Sequence, residues 1–374
     1  GGAAPTDGGW VMRILPFDPT TASGHEWEAV LVLERQNAAE FNPDDTPLVL
    51  EQLRARWLNE PSFTQTWRWL AWDDAGETVW ARAFLRSYTT AENQHLADMW
   101  VYVAPERRRQ GLGGAMLPPI VDGAQAVDRS LLRTWTQSIV PAGEAFMRVV
   151  GAHKALETSE NVLDMTDLDL DLMRSWVQRA QERAAGYRLE FVEGWFPEAD
   201  LPDIAAVVGS LNDAPRGELQ VEDDVHTADT VRAWEASILG RGDNIWSMFA
   251  REPQAERVVG WTEVVIDPHN PHRLYQGGTG VLREHRNLGL GCWLKAAMAL
   301  KVAEQLPHVR SIRTGNADAN APMLSINTRM GFRAAIAEAV WQMSVDQAER
   351  HQAAQGVSRY GASWGTLPLQ TAGR

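Results

Sequence analysis

The stretch RRRQGLGG, residues 107–114, shares its pattern with HRNLGLG, residues 285–291. Each holds an arginine, two spacer residues, a glycine, one spacer and a second glycine, and the two copies lie 178 positions apart (from Arg108 to Arg286). A strand-like segment precedes each loop and a helix-like segment follows it. Such a junction points several free backbone N–H groups and the positive end of a helix dipole at one place. Each copy therefore predicts a site for a phosphate or pyrophosphate, with the arginine adding a charge-assisted contact.

Two other glycine-rich phosphate loops are excluded by the neighbouring residues. A Walker loop needs Lys and then Ser or Thr after its last glycine, whereas Gly114-Ala115 and Cys292-Trp293 stand here. A dinucleotide loop needs a third spaced glycine, and Met116 occupies that position in the first copy.

The sequence around the two loops also repeats. Strand candidates at 95–103 and 274–282 precede the loops, and helical stretches at 114–127 and 292–306 follow, the first weakened by two prolines. Further strand candidates follow in pairs, at 130–137 and 309–316, and at 160–168 and 338–345. A period of this length predicts two domains rather than a solenoid. We expect domains at 11–170 and 187–346, a helical linker at 171–186, a flexible lead at 1–10 and a tail at 347–374.

Composition limits the partners and the setting. The 374 residues carry a formal net charge of −14, which disfavours nucleic acid and favours a small, cationic acceptor. The single cysteine excludes an internal disulfide, and no ligand set for a metal is visible. No apolar run reaches the ~18 residues of a membrane span, and no signal peptide is apparent. We expect a cytoplasmic protein without a metal, as a monomer or homodimer.

VYVAPERRRQGLGGAML and VLREHRNLGLGCWLKAAM resemble the acyl-CoA loop of the GNAT acyltransferase superfamily. The family's V-x-P before the loop is present as Val103-x-Pro105, whereas the second copy departs from it with Val281-x-Arg283. The second half resembles actinobacterial tandem GNAT proteins of the mycothiol-synthase type in segments 212–219, 260–267, 283–291 and 315–332. The resemblance implies an α/β (α+β) fold with two GNAT-like domains, each a mixed, mostly antiparallel sheet flanked by helices.

The resemblance also implies an acyl-CoA co-substrate, acetyl-CoA or another, and the residues that would bind it. In the first half these are Val101, Val103, Arg108, Arg109, Gln110, Gly111, Gly113 and Gly114. In the second half they are Val281, Leu282, Arg286, Asn287, Leu288, Gly289, Gly291 and Cys292. Asn320 matches an asparagine that often contacts the CoA arm in this superfamily.

The chemistry would be direct attack of an amine on the bound thioester, which needs a base for the ammonium proton. We expect Glu263 to be that base and to contact the acceptor; the alternative is a solvated strand residue. Many members place an acidic tyrosine where Asn327 stands here and Met147 stands in the first half. A water, Ser325 or Tyr275 would then protonate the leaving thiolate, or the thiolate leaves unaided.

Two further positions are assigned to the acceptor. Asp213 lies on a segment that often forms the acceptor wall, with a helix or turn cap as the alternative. Gly277, Gly278 and Gly280 on the donor strand predict open space that enlarges the acyl or acceptor pocket.

The expected function is an N-acyltransferase for a small amine such as an amino sugar, an antibiotic or a thiol precursor. We expect catalysis in the second half, which has the longer match, with the first half binding donor without catalysis; the opposite assignment stays open. The alternatives are a GNAT-fold transferase that uses another activated donor such as aminoacyl-tRNA, a CoA-binding protein without catalysis, and a protein N-acetyltransferase.

Overall fold

The computed structural model describes residues 12–354, and the side chains of 12–352. The predicted lead at 1–10 and the part of the predicted tail at 355–374 lie outside these residues. Within the described part, no helix is both long enough and apolar enough to cross a membrane.

Each half contributes six strands, with helices between them. The strands of the first half are β1 (Arg13–Phe17), β2 (Thr64–Trp72), β3 (Val79–Tyr88), β4 (Leu96–Val103), β5 (Leu131–Gln137) and β6 (His153–Asp164). Its helices are α1 (Gly24–Phe41), α2 (Leu50–Leu58), α3 (Leu112–Ala115), α4 (Leu117–Ala126) and α5 (Pro141–Val149). The linking helix is α6 (Leu170–Arg183).

The second half repeats this order. Its strands are β7 (Arg188–Glu193), β8 (Asn244–Arg251), β9 (Val258–Ile266), β10 (Arg273–Val281), β11 (Ser311–Ala317) and β12 (Arg333–Ser344). Its helices are α7 (Leu201–Gly209), α8 (Ala228–Gly240), α9 (Leu290–Gln305), α10 (Ala321–Met330) and α11 (Val345–Ala354).

The two halves form one 12-stranded sheet, because they exchange their last strands. The order is β1-β2-β3-β4-β5-β12-β6-β11-β10-β9-β8-β7. Strand β12 of the second half pairs with β5, and β6 of the first half pairs with β11. The exchange extends to the cores: Trp341 and Met343 of β12 pack in the first half's core, and Leu163 of β6 packs in the second's. The mixed sheet of the prediction is confirmed, but its two copies are joined, and the domain limits at 170 and 187 remain a prediction.

Two pairs of parallel strands separate part-way along their length. Strands β4 and β5 pair only from Leu96–Leu131 to Asp98–Arg133. Strands β10 and β11 pair only from Arg273–Ser311 to Tyr275–Arg313. Beyond these residues each pair diverges into a wedge, in which backbone groups of β4 and β10 face no strand.

Helices cover both faces of the sheet. In the first half α4 packs on one face and α1 and α2 on the other. In the second half α6 and α9 share one face, and α7 and α8 cover the other. The predicted weakness at the prolines appears as a break: α3 ends at Ala115, and α4 starts with a proline in its first turn.

Loops on each half reach over the other half. Thr46, between α1 and α2, donates its N–H to Asn270 Oδ1 at 2.8 Å. Glu222, before α8, donates its N–H to Asn93 Oδ1 at 2.8 Å. Part of the predicted tail is instead the ordered helix α11, which packs on α4 of the first half.

Candidate functional site

The two glycine loops follow the same backbone path. Arg109 and Gly111 in the first copy have φ angles of 63° and 88°, and Asn287 and Gly289 in the second have 64° and 87°. In each copy this glycine is the left-handed N-cap of the helix that follows. The first N–H groups that bond within the helices are those of Ala115 and Trp293, which donate to the carbonyl groups of Gly111 and Gly289. The three amides before each of these residues therefore have no partner in the helix. Both loops thus present a backbone cradle for an anion, as predicted for a phosphate group.

The repeated arginine of each loop donates a hydrogen bond to the last residue of the strand that precedes the loop. Arg108 Nε donates to Val103 O at 3.0 Å, and Arg286 Nε donates to Val281 O at 2.9 Å. The remaining nitrogens pair with carboxylates: Arg108 with Glu40 at 2.9 and 2.5 Å, and Arg286 with Asp213 at 2.6 Å. These guanidiniums are therefore engaged by the protein, and the cradle consists of backbone amides.

Other cations lie beside the cradles. In the first half Arg109 is exposed and lines the cleft next to its loop. In the second half Arg183 of the linking helix donates to Asn287 O at 2.8 Å. Arg179, one turn earlier on that helix, lies near enough for its charge to act on Cys292 in the same loop. Arg179 and Arg183 were not predicted as site residues; their four-residue spacing, which places both on one face of the linking helix, is the sequence feature that indicates them.

An open cleft of about 390 Å³ lies between the first half's loop and its wedge. Val101 and Val103 line it, together with Phe146 and His351, the latter from α11. At the narrow end Trp100 and Trp135 lie across the wedge with ring centroids 5.1 Å apart. The cleft therefore extends from the loop to the diverging strands, and aromatic rings form part of its wall.

Glu263 is buried at the corresponding place in the second half. The pairing of β9 with β10 shifts register between Gln276 and Thr279, so Glu263 lies opposite a bulge formed by Gly277 and Gly278. Its side chain is 3% exposed, and its Oε2 has no hydrogen-bond partner in the described part of the chain. Burial raises the pKa of Glu263 to about 8, although a hydrogen bond with the backbone of Gly278 opposes this. A carboxyl group with this pKa can exchange a proton near neutral pH.

The first half lacks this carboxyl group. Its β3–β4 pairing is regular, and Phe84 lies opposite Trp100 where the second half has Glu263 and the glycine bulge. On the same face, Glu34 pairs with Arg82, and Glu60 pairs with Arg68 and Arg86. This position opposite the donor strand is thus aromatic in the first half and acidic in the second.

A Cβ on any of the three donor-strand glycines would meet a neighbouring residue, so the expected open space is absent at these positions, although Gly277 lines the cavity described below. A Cβ on Gly277 would overlap the Glu263 carboxyl group, and one on Gly278 would overlap the Trp261 ring. At Gly280 a Cβ would lie 2.6 Å from Ser210 Oγ. The absent side chains make room for these three neighbours, and the strand is closely packed.

Tyr275 stands at the last paired position of β10, where the wedge opens. Tyr275 is 46% exposed, its hydroxyl group lies beside the backbone of Gly315, and the partial removal of water from the phenol raises its pKa, which keeps it protonated. Asn327 is 1% exposed and donates to Asn316 Oδ1 at 2.7 Å, so it has a structural contact and no acidic proton. Asn320 caps α10 by accepting from Met323 N at 3.4 Å, and Ser325 is exposed.

Asp213 and Cys292 lie beside the donor loop. Asp213 accepts from Arg283 at 2.8 Å and from Arg286 at 2.6 Å, and these bonds hold its pKa below the usual range. Burial raises the pKa of the Cys292 thiol, which disfavours a thiolate nucleophile. Among residues 12–354, no group of three or more His, Cys, Asp or Glu side chains is placed to hold a metal ion.

A cavity of about 500 Å³ opens from Glu263 on the face covered by α8. Tyr275 and Gly277 line it from β10, and Arg56 of α2 lines it from the first half. No local pattern predicts this cavity, because Arg56 lies 178 positions or more before the other residues that line it.

No family model matches the chain, and no curated protein sequence does either. Solved structures do match. A tandem GNAT protein from the clavulanic acid biosynthesis pathway is 23% identical, with 89% of this chain and 98% of that chain covered and a TM-score of 0.72. A GCN5-related N-acetyltransferase from Sphaerobacter thermophilus is 14% identical over 89% and 96% of the chains, with a TM-score of 0.57.

A fungal glucosamine N-acetyltransferase region is 10% identical and gives a TM-score of 0.61, with 89% of this chain and 38% of that one covered. The structural similarity to these proteins extends over 89% of the chain and therefore includes both halves. The chain has the fold of the tandem GNAT proteins.

Proposed function

We propose that this chain transfers an acetyl or other small acyl group from acyl-CoA to the amine of a small molecule, and that the second half does the chemistry. The observation that carries the assignment is Glu263, a buried carboxyl group at a glycine bulge beside the wedge. The mycothiol-synthase-like subtype, supported by the segments at 212–219 and 315–332, and a cytoplasmic setting belong to this proposal.

The chain's own groups suit the donor. Acyl-CoA would supply the activated thioester, and its pyrophosphate would lie on the amides of residues 290–292 at the start of α9. Its arm would run along β10 toward Val281 and Leu282, where backbone groups face no strand. Gln110 and Leu288 are the residues immediately before the first glycine of each loop.

Glu263 and Tyr275 would carry out the two proton transfers of the reaction. Ionised Glu263 takes a proton from the acceptor ammonium, which frees the lone pair to attack the thioester carbonyl. Tyr275, protonated at neutral pH, donates a proton to the departing thiolate. Both side chains line the 500 Å³ cavity, so an amine in that cavity reaches both groups.

The first half would bind donor without transferring the acyl group. Its loop and its cleft of about 390 Å³ suit an acyl-CoA. Trp100 and Trp135 line the wedge with ring centroids 5.1 Å apart, and Phe84, opposite Trp100, offers no proton acceptor.

Two alternatives are weaker. An aminoacyl-tRNA donor would need basic surface, and the formal net charge is −14. A protein N-acetyltransferase would need a peptide groove, whereas Glu263 lies in a cavity lined from both halves. A CoA-binding protein without catalysis is separated from our proposal by the turnover assay below.

Matched loop variants test the donor sites one at a time. Gly114 and Cys292 occupy equivalent positions after the loops, and a Cβ on Gly114 meets nothing within 4 Å. An aspartate there repels a pyrophosphate but suits a helix N-terminus. Calorimetry with acetyl-CoA should give two sites for the wild type and one each for G114D and C292D, with C292S as the control for loss of the thiol.

The turnover assay then assigns the chemistry. We expect C292D to lose CoA-thiol release with an amine acceptor and G114D to keep it. Loss of turnover in G114D alone would move the chemistry to the first half. Absence of acetyl-CoA binding by the wild type would overturn the donor assignment.

A further inference from the structure

The cavity beside Glu263 is lined by side chains of both charges. Glu263 lies at the bulge of β10. Arg56 of α2 and Arg241, which follows α8, line it as well. Trp234, Ile238 and Val265 supply apolar wall. The cavity therefore combines the Glu263 carboxyl group, apolar wall and a basic region formed by the Arg56 and Arg241 guanidinium groups, with Asp243 and Asp267 also in its lining.

The basic region has more donors than the nearby carboxylates use. Arg241 has only a long contact with Asp243, Nε to Oδ2 at 3.4 Å, and its Nε makes no hydrogen bond within the described chain. Arg56 reaches Asp267 at 3.2 Å with a single nitrogen. Asp267 also accepts from Asn270 Nδ2 and His269 N, both at 2.9 Å, so its oxygens are already shared.

The third arginine of the cavity, Arg273, has a carboxylate partner that neutralises more of its charge. Arg273 is paired with Asp45, a residue of the first half, although its Nε also lacks a partner. The two guanidiniums with spare donors are therefore Arg241 and Arg56. They lie near each other, since the charge of Arg56 acts on Arg241. A planar anion that accepts from both would satisfy donors that the protein leaves unpaired.

We infer that the acceptor is an amino acid-like zwitterion, whose carboxylate binds Arg241 and Arg56 while its amine faces Glu263 across an apolar spacer. This inference rests on the proposed function and adds a substrate class to it. Because Arg56 belongs to the first half, that half would contribute to acceptor recognition although it performs no chemistry.

Binding of matched amines tests the carboxylate directly. The probes are α-, β- and γ-amino acids, each compared with its carboxamide, titrated by calorimetry against the full chain with acetyl-CoA absent. We expect at least one acid to bind at least about 10-fold more tightly than its carboxamide, since charge-assisted hydrogen bonds are lost with the charge. R241Q and R56Q should each bring that acid down to the level of its carboxamide and leave the carboxamide unchanged.

R174Q, at a surface arginine paired within its own helix, is the matched control and should not alter binding. Arg56 is 42% exposed, so R56Q keeps the test informative if R241Q fails to fold. Equal affinity for acid and carboxamide throughout the panel, or no carboxylate-dependent binding at all, would overturn the inference.

Release of the CoA thiol separates this inference from the proposed function. Arg241-dependent binding of an acid without thiol release would sustain the zwitterion site and refute the acyl transfer. Thiol release with carboxamides and acids alike, unaffected by R241Q, would sustain the acyl transfer and refute the zwitterion site.

Discussion

Replacing Glu263 with glutamine should make the protein more stable at alkaline pH. The wild-type carboxyl group is buried, and its pKa rises from 4.5 to about 8 mainly because burial penalises its charged form. Between these pH values the native state binds more protons than the unfolded state, so the free energy of unfolding falls as the pH rises. The penalty is complete above pH 8 and corresponds to about 5 kcal/mol. The E263Q amide carries no such penalty.

Urea unfolding of wild type and E263Q at pH 5, 7 and 9 measures this difference. We expect the stability of E263Q relative to wild type to increase by about 3–5 kcal/mol from pH 5 to pH 9. E304Q, which removes an exposed carboxyl group from α9, should change by less than about 0.5 kcal/mol at every pH. Titrating groups that do not interact with Glu263 cancel in the comparison. A difference between E263Q and wild type that stays constant with pH would refute the raised pKa.

Three further perturbations follow from the same site and sheet. The kcat/KM for amine acylation should rise with pH through about 8 as Glu263 ionises, and E263Q should lose at least about 100-fold and this pH dependence. G278A should destabilise the protein by about 1–3 kcal/mol in thermal unfolding, because its Cβ overlaps an indole ring. G114A, with free space around its Cβ, should stay within about 1 kcal/mol of wild type. Residues 12–186 expressed alone should fail to give a cooperative thermal transition, and co-expression with residues 187–354 should restore one, because β5 needs β12 as its neighbour.

The sequence predicted those features that depend on local pattern. Alternation and glycine spacing placed β4, β10 and both loops, and the left-handed φ angles at Gly111 and Gly289 explain why glycine recurs there. The repeat predicted that both halves have the same order of elements, because strand-like and helix-like segments follow one another in the same order around each loop.

Features that depend on partners distant in the chain were beyond local pattern. The exchange of β6 and β12 depends on which strand each one pairs with. Both segments have the same kind of strand-like pattern, so the pattern does not tell which partner each takes. The glycines of β10 were misjudged because a missing side chain can admit a neighbour as readily as it can leave a void, and here Trp261 and Glu263 fill the space. The role of Glu263 was proposed from sequence, but its burial required the register shift opposite it.

The exchanged strands have a consequence for the history of a duplicated gene. Under the proposed function, the copy with Phe84 and Trp100 has no chemistry of its own and would ordinarily be free to decay or be deleted. Its β6, however, lies against β11 and forms one side of the sheet that the other copy needs. Deletion would expose that edge and remove Leu163 from the neighbouring core. Strand exchange therefore converts a redundant copy into an indispensable one, because the sheet of the other copy is incomplete without β6.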